Sequence, residues 1–436
     1  MTSSPKKPPR KSPPAAVAGN ALRHLRSSDI RGIAKLATES TTGIHRLTEG
    51  VHQAVLGTLG MPRGQAPGQT RGITGLVYKS IHGMTALVAK SIDSALHALQ
   101  PLFELVEQEK PGTPEREAVL AILNGVMGDR LVATRNPLAT PMSLRYRGEA
   151  LDWRARKLLP QVTGKVVVLI HGLCMNDLQW RVVKPAVDGQ PAQVGDLGET
   201  LATELGYTPV YVRYNTGLHT SQNGRELAGL LEQLVEHWPV PVEALTLVGY
   251  SMGGLVARSA CHYGRAGALR WPGRLGDLVF LATPHHGSPL ERAGNLLDVL
   301  LGANPYSAPY GKLIQLRSAG ITDLRYGHVV DEDWHGHDRF RRKPDGRQVL
   351  PLPEGARCFA LAATTAAKRS ALADRLVGDG LVPLHSALGQ HDDARHTLGF
   401  SRASQCVMYK MNHMVVVAHP AVIQQVRDWL APASGK

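Results

Sequence analysis

The sequence predicts an α/β fold in which a mostly parallel sheet is covered by helices on both faces. Three observations carry this. Lys165-Val-Val-Val-Leu-Ile170 is a continuous apolar run bounded by turn residues, the pattern of a strand buried on both faces. Four further strand-like runs follow, at Pro209–Tyr214, Ala244–Val248, Leu278–Leu281 and Arg357–Leu361. Between them lie stretches with helical spacing, including Gly224–Trp238 and Met252–His262. Strands that alternate with helices need crossover connections, and those give a parallel sheet.

A chain of 436 residues exceeds what one core usually requires, and its texture divides. Residues 1–28 are rich in Pro, Lys and Ser and bury too little apolar surface to order themselves, so they read as a basic disordered tail. Residues 29–136 read as a helical region containing a 40-residue repeat. Arg31-Gly32-Ile33 recurs as Arg71-Gly72-Ile73, and Leu36, Ser40, Gly43, Leu47 and Leu56 recur in register as Leu76, Ser80, Gly83, Leu87 and Leu96. Each copy carries an apolar helical stripe, with a Gly/Pro-rich linker between them at Gly60–Gly68. A further helix is expected from Pro114 to about Leu131, with Thr113 as its N-cap. Residues 137–436 are the expected catalytic domain. Within them the span of about 284–355 reads as an insertion that caps the site, or as a rim with no gating role.

Composition narrows the class. No apolar run reaches the roughly 18 residues of a membrane span, and the N-terminus lacks the apolar stretch of a secretory signal. Cys174, Cys261, Cys358 and Cys406 lie far apart without metal-ligand spacing and read as small buried residues in a reducing, cytoplasmic setting. Of the net charge of +13, an excess of 9 falls in residues 1–100, with 13 Lys+Arg against 4 Asp+Glu. Such a tail suits peripheral contact with an anionic membrane or plain solubility. Nucleic acid is disfavoured, since no recognised nucleic-acid module accompanies the charge.

The chemistry centres on Gly249-Tyr250-Ser251-Met252-Gly253. The bare Gly-x-Ser-x-Gly pattern is weak, but here an apolar strand enters it and a helical pattern leaves it, as a nucleophile elbow requires. Ser251 is the candidate nucleophile. His171-Gly172-Leu173 follows the first strand, and the amides of Leu173 and Met252 are the candidate donors to an oxyanion, with His171 and Gly172 supporting that loop. An imidazole and a carboxylate must follow the serine, acid first. Asp379 in Gly378-Asp379-Gly380-Leu381-Val382 and His413 in Asn412-His413-Met414 fit strand-end turns; the rivals are Asp374 for the acid and His385, His391, His396 or His419 for the base.

In order along the chain, His171-Gly172, Gly-Tyr-Ser-Met-Gly, Ala282-Thr-Pro-His-His-Gly287, Gly-Asp-Gly-Leu-Val and Met411-Asn-His413 resemble the motifs of bacterial triacylglycerol lipases, and much of the set is shared by GPI inositol-deacylase-like hydrolases. The resemblance spans roughly residues 140–436. It implies an α/β-hydrolase fold, action on carboxylic esters of lipophilic acids, and Ser251, Asp379 and His413 as the triad. Such lipases that bind calcium carry an aspartate two residues beyond the catalytic histidine. Here that place is Val415, so no metal is expected, and no cofactor. The alternatives are acyl transfer through the same triad, or a lipid- or membrane-binding protein whose hydrolase domain is secondary.

Overall fold

The computed structural model describes residues 26, 28–29, 31–32, 35, 113–153, 161–184, 193–288, 317–336, 345–368 and 378–432. Most of the 40-residue repeat and of the Pro-rich tail lie outside these residues, as do Asp374 and half of the expected cap. The chain divides into two compact units. In the smaller, Asp29 accepts from the Arg116 guanidinium at 2.6 and 2.7 Å, and Asn136 donates to the Gly32 carbonyl at 2.9 Å. The larger takes in Leu120–Arg135, Ala139–Ser307 and Ile314–Lys436.

The strands, in chain order, are β1 (Ser143–Tyr146), β2 (Glu149–Ala150), β3 (Lys165–Ile170), β4 (Arg181–Lys184), β5 (Gln193–Asp196), β6 (Thr208–Arg213), β7 (Ala244–Tyr250), β8 (Leu275–Leu281), β9 (Arg357–Thr364) and β10 (Gln405–Tyr409). The helices are α1 (Pro114–Ala133), α2 (Leu197–Leu205), α3 (Thr220–His237), α4 (Met252–Ala266), α5 (Ala319–Asp323), α6 (Leu384–Ala387), α7 (His413–Val416) and α8 (Pro420–Leu430). Eight strands form one sheet in the order β10-β9-β8-β7-β3-β6-β1-β2, and β4 pairs with β5 alone. From β10 to β6 every pairing is parallel, while β1 runs antiparallel to both β6 and β2.

Burial on both faces explains why β3 is apolar throughout. Val166, Val168 and Ile170 join one core with Leu227 and Leu231 of α3 and Val256 and Ala260 of α4. Val167 and Leu169 join a second core with Leu201 of α2 and Val422 and Val426 of α8. Successive strand residues point to opposite faces, so a strand between two helical layers has no polar side.

The structure departs from the sequence reading in three places. The last strand ends at Tyr409, and His413 opens the short helix α7, where the Asn412 side chain accepts the Val415 amide at 3.2 Å. Strands β1, β2, β4 and β5 and helix α2 were not anticipated. Cys358 and Cys406 are only half-buried, unlike Cys174 and Cys261, because they lie on the two strands at one edge of the sheet.

The chain order reverses at β3: β6 follows on one side, then β7 on the other. Ligands of such sheets bind beyond the carboxyl ends of the strands at this reversal. Ile170 pairs with Gly249, so the loops leaving β3 and β7 emerge side by side.

Candidate active site

Ser251 sits between β7 and α4 with φ 53° and ψ −124°, a conformation that a residue with a side chain adopts only when its surroundings impose it. Its amide donates to the Leu281 carbonyl of β8 at 2.8 Å. The tight turn presses the start of α4 onto the end of β3. A Cβ on Gly253 would lie 2.2 Å from the Ile170 carbonyl oxygen, so no larger residue fits at that place.

His413 and Asp379 arrive from the far end of the chain. The His413 Nε2 lies 2.9 Å from Ser251 Oγ, and its Nδ1 lies 2.6 Å from Asp379 Oδ2. The other oxygen, Asp379 Oδ1, accepts the amides of Leu381 and Val382 at 3.0 and 2.8 Å. A backbone link, His413 N–H to the Asp379 carbonyl at 2.9 Å, ties the two loops together. Asp379 and His413 are 2% and 4% exposed, which removes competing water from these bonds. The Tyr250 hydroxyl donates to the His413 carbonyl at 2.8 Å, and the two rings lie 5.1 Å apart. Burial, and then the Asp379 charge, hold the Tyr250 phenol well above its usual range, so it remains a donor.

Of the residues singled out in the sequence, Ser251, His413 and Asp379 are thus within hydrogen-bond reach in a row. His385 lies in α6, the His391 ring lies tilted against those of His286 and His396, and the His419 side chain accepts the Ala421 amide at the start of α8. Neither the Leu173 nor the Met252 amide has a protein acceptor among the described residues, and both side chains are buried. Gly172 stands against the serine: a Cβ there would lie 3.1 Å from Ser251 Cβ. His171 stacks on Tyr214 at 4.4 Å with its Nδ1 2.9 Å from the Gly172 carbonyl, while the Tyr214 hydroxyl donates to the His171 carbonyl at 2.8 Å. Burial holds the His171 pKa down at about 4, so the ring is neutral. Tyr250 and Tyr214 were missed in the sequence, because nothing about a strand-end tyrosine shows where its hydroxyl will land.

No group of three or more His, Cys, Asp or Glu side chains among the described residues is placed to hold a metal ion. Val415, at the position where calcium-binding lipases would carry an aspartate, is 41% exposed. No helix among the described residues is long and apolar enough to cross a membrane.

A family model described as "PGAP1-like alpha/beta domain" matches residues 161–350, which hold β3 through β8, the His171–Leu173 loop and Ser251. The fold is the α/β-hydrolase fold. Solved structures similar to this chain include the mature lipase BlEst2 of Bacillus licheniformis, at 17% identity and TM-score 0.39 over 67% of this chain and 100% of that one. Lipase B of Aspergillus fumigatus is 11% identical with TM-score 0.40, covering 93% and 84% of the two chains. EstA of Clostridium botulinum is 13% identical with TM-score 0.35, covering 63% and 88%. No curated protein matches the chain. Likenesses this distant carry no activity over to this chain.

Proposed function

We propose that this α/β-hydrolase cleaves carboxylic esters of lipophilic acids, with Ser251 as nucleophile, His413 as base and Asp379 as the acid that orients it. The observation that carries the reading is the unbroken row from Ser251 Oγ through the His413 ring to Asp379 Oδ2, at 2.9 and 2.6 Å. In this reading His413 Nε2 takes the hydroxyl proton as Ser251 Oγ attacks the ester carbonyl carbon. The amides of Leu173 and Met252 meet the oxyanion that develops. Collapse expels the alcohol, which receives the proton from His413, and leaves an acyl-serine. Water, deprotonated by the same histidine, then releases the acid. Asp379 stays ionised throughout and fixes the ring so that Nδ1 carries the hydrogen and Nε2 is free to accept.

A fluorophosphonate probe together with p-nitrophenyl esters of increasing acyl length tests this. Ser251→Ala is expected to abolish labelling and to lower turnover by roughly 10³-fold or more, since the triad acts as one unit. A folded Ser251→Ala protein that still turns over ester at the original rate would overturn the assignment. The dependence on acyl length reports whether the acid bound is lipophilic.

A further inference from the structure

The motif Ala282–Gly287 stands out in the sequence but has no part in the chemistry above. It leaves β8 and ends in a turn where the Gly287 amide donates to the Pro284 carbonyl at 3.0 Å. Gly287 has φ 80°, and a Cβ there would lie 2.4 Å from the Arg325 carbonyl oxygen, so glycine alone suits the place. The turn delivers Ser288, 2% exposed, to the loop that carries the triad acid. Its amide donates to the Leu324 carbonyl at 2.9 Å, and its hydroxyl donates to the Leu381 carbonyl at 2.6 Å. No other hydrogen bond reaches that carbonyl among the described residues.

The Leu381 carbonyl and the Val382 amide belong to one peptide unit, which resonance keeps planar. The oxygen of that unit accepts from Ser288, and its N–H donates to Asp379 Oδ1 at 2.8 Å. The freedom left to such a unit is rotation about the line joining its two Cα atoms. A hydroxyl that fixes the oxygen therefore fixes the N–H as well. A hydrogen bond at the carbonyl also polarises the unit and strengthens its N–H as a donor. Glycines flank Asp379 on both sides, Gly378 at φ 47° and Gly380 at φ 97°. Such a backbone does not hold a carboxylate by itself, so hydrogen bonds to the loop must do it.

We propose that Ser288 is a positioning residue for Asp379, acting through the Leu381–Val382 peptide. The proposal rests on the triad reading, in which Asp379 holds the His413 ring for Ser251. The row of hydrogen bonds then runs from Ser288 Oγ through that peptide to Asp379, on to His413 and to Ser251 Oγ. Ser386 differs, although it is as deeply buried at 1% exposed. Its hydroxyl donates to the Gly287 carbonyl at 2.9 Å and accepts the His286 amide at 3.0 Å. It ties the same two loops together without a bond to the peptide that faces Asp379.

The test is a double-mutant cycle in the full chain, with p-nitrophenyl butyrate as the substrate. Ser288→Ala removes one oxygen and adds no bulk. It is expected to lower kcat roughly 5–20-fold with KM little changed, the mark of an interaction made only in the transition state. In the Asp379→Asn background the same change is expected to cost less than about twofold, because no productive carboxylate is left to place. Ser386→Ala is expected to lower the melting temperature as Ser288→Ala does, yet to keep kcat within about twofold. Should Ser288→Ala not fold, Ser288→Cys, with a weak donor in place of the hydroxyl, takes its part in the cycle. Unchanged kcat in Ser288→Ala overturns the proposal, as does an equal loss in both backgrounds or an equal loss from Ser386→Ala. Full activity in Asp379→Asn alone would instead overturn the triad reading, and the proposal with it.

Discussion

Tyr250 occupies the second position of the Gly-x-Ser-x-Gly motif, and its hydroxyl holds the carbonyl of the histidine that the next residue must reach. The bond is neutral and buried, so removing the hydroxyl should cost on the order of 0.5–1.5 kcal/mol. Tyr250→Phe keeps the ring packing against His413 and is expected to lower kcat by roughly 2–10-fold with KM little changed. An unchanged kcat in steady-state kinetics would show that the Asp379 bonds alone hold the imidazole. Those bonds give a sharper expectation. Asp379→Asn keeps the acceptor for the Leu381 and Val382 amides but offers His413 Nδ1 an N–H where it needs an acceptor. Loss of about 10⁴-fold in kcat with a near-normal melting temperature is expected, as when a triad ring is left in the wrong tautomer.

At the scale of elements, α1 bears on the loop that follows β3. A Cβ on Gly125 would lie 2.4 Å from Cys174 Sγ and 3.0 and 3.1 Å from the Cys174 Cα and N, so the loop itself would have to shift. Cys174 has φ 59° and its amide donates to Thr216 Oγ1 at 3.2 Å, leaving it little freedom to do so. The neighbouring residue is Leu173, whose amide is proposed to meet the oxyanion. Gly125→Ala is therefore expected to lower kcat on a short water-soluble ester by about tenfold or more, the range over which a misplaced oxyanion donor acts. Gly229→Ala at an exposed position of α3, where nothing lies within 4 Å of the added methyl, serves as the contrast. That variant is expected to stabilise the fold by about 0.5–1 kcal/mol without touching kcat. Urea unfolding and initial rates on both variants separate the steric effect from the helix effect.

At the scale of the molecule, three histidines are buried in the neutral form. Burial holds His171 at about 4, His286 at about 2, and His285 well below the ordinary 6.5. In the unfolded chain each titrates near 6.5, so below that pH the unfolded state binds more protons than the folded one. Stability then rises with pH in this window and is lost as pH falls from about 6.5 through 4. Unfolding near pH 5 is expected to take up about three protons through these groups alone. Urea midpoints measured from pH 7.5 to 5 should fall steadily. A flat profile over that range would mean that these rings are not held neutral.

The apolar runs of β3 and β7, the helical spacing of α3 and α4 and the order of motifs are local properties, and they determined the parallel sheet with helices on both faces. The short edge strands β1 and β2 and the β4–β5 pair carry too few residues and too little alternation to stand out from loop sequence. Which of the 19 histidines meets the serine is another matter. His413 reaches Ser251 across 162 positions and Asp379 across 34. The motif order nominated these residues, but only the packing of β10 beside β9 and the turn into α7 decides where the ring lies. The same holds for the Tyr250 hydroxyl, for the part of α1 that supports the Cys174 loop, and for the Ser288 hydroxyl beside the acid loop. Each depends on an approach between segments distant in sequence, and the type of a residue does not determine what the fold will bring beside it.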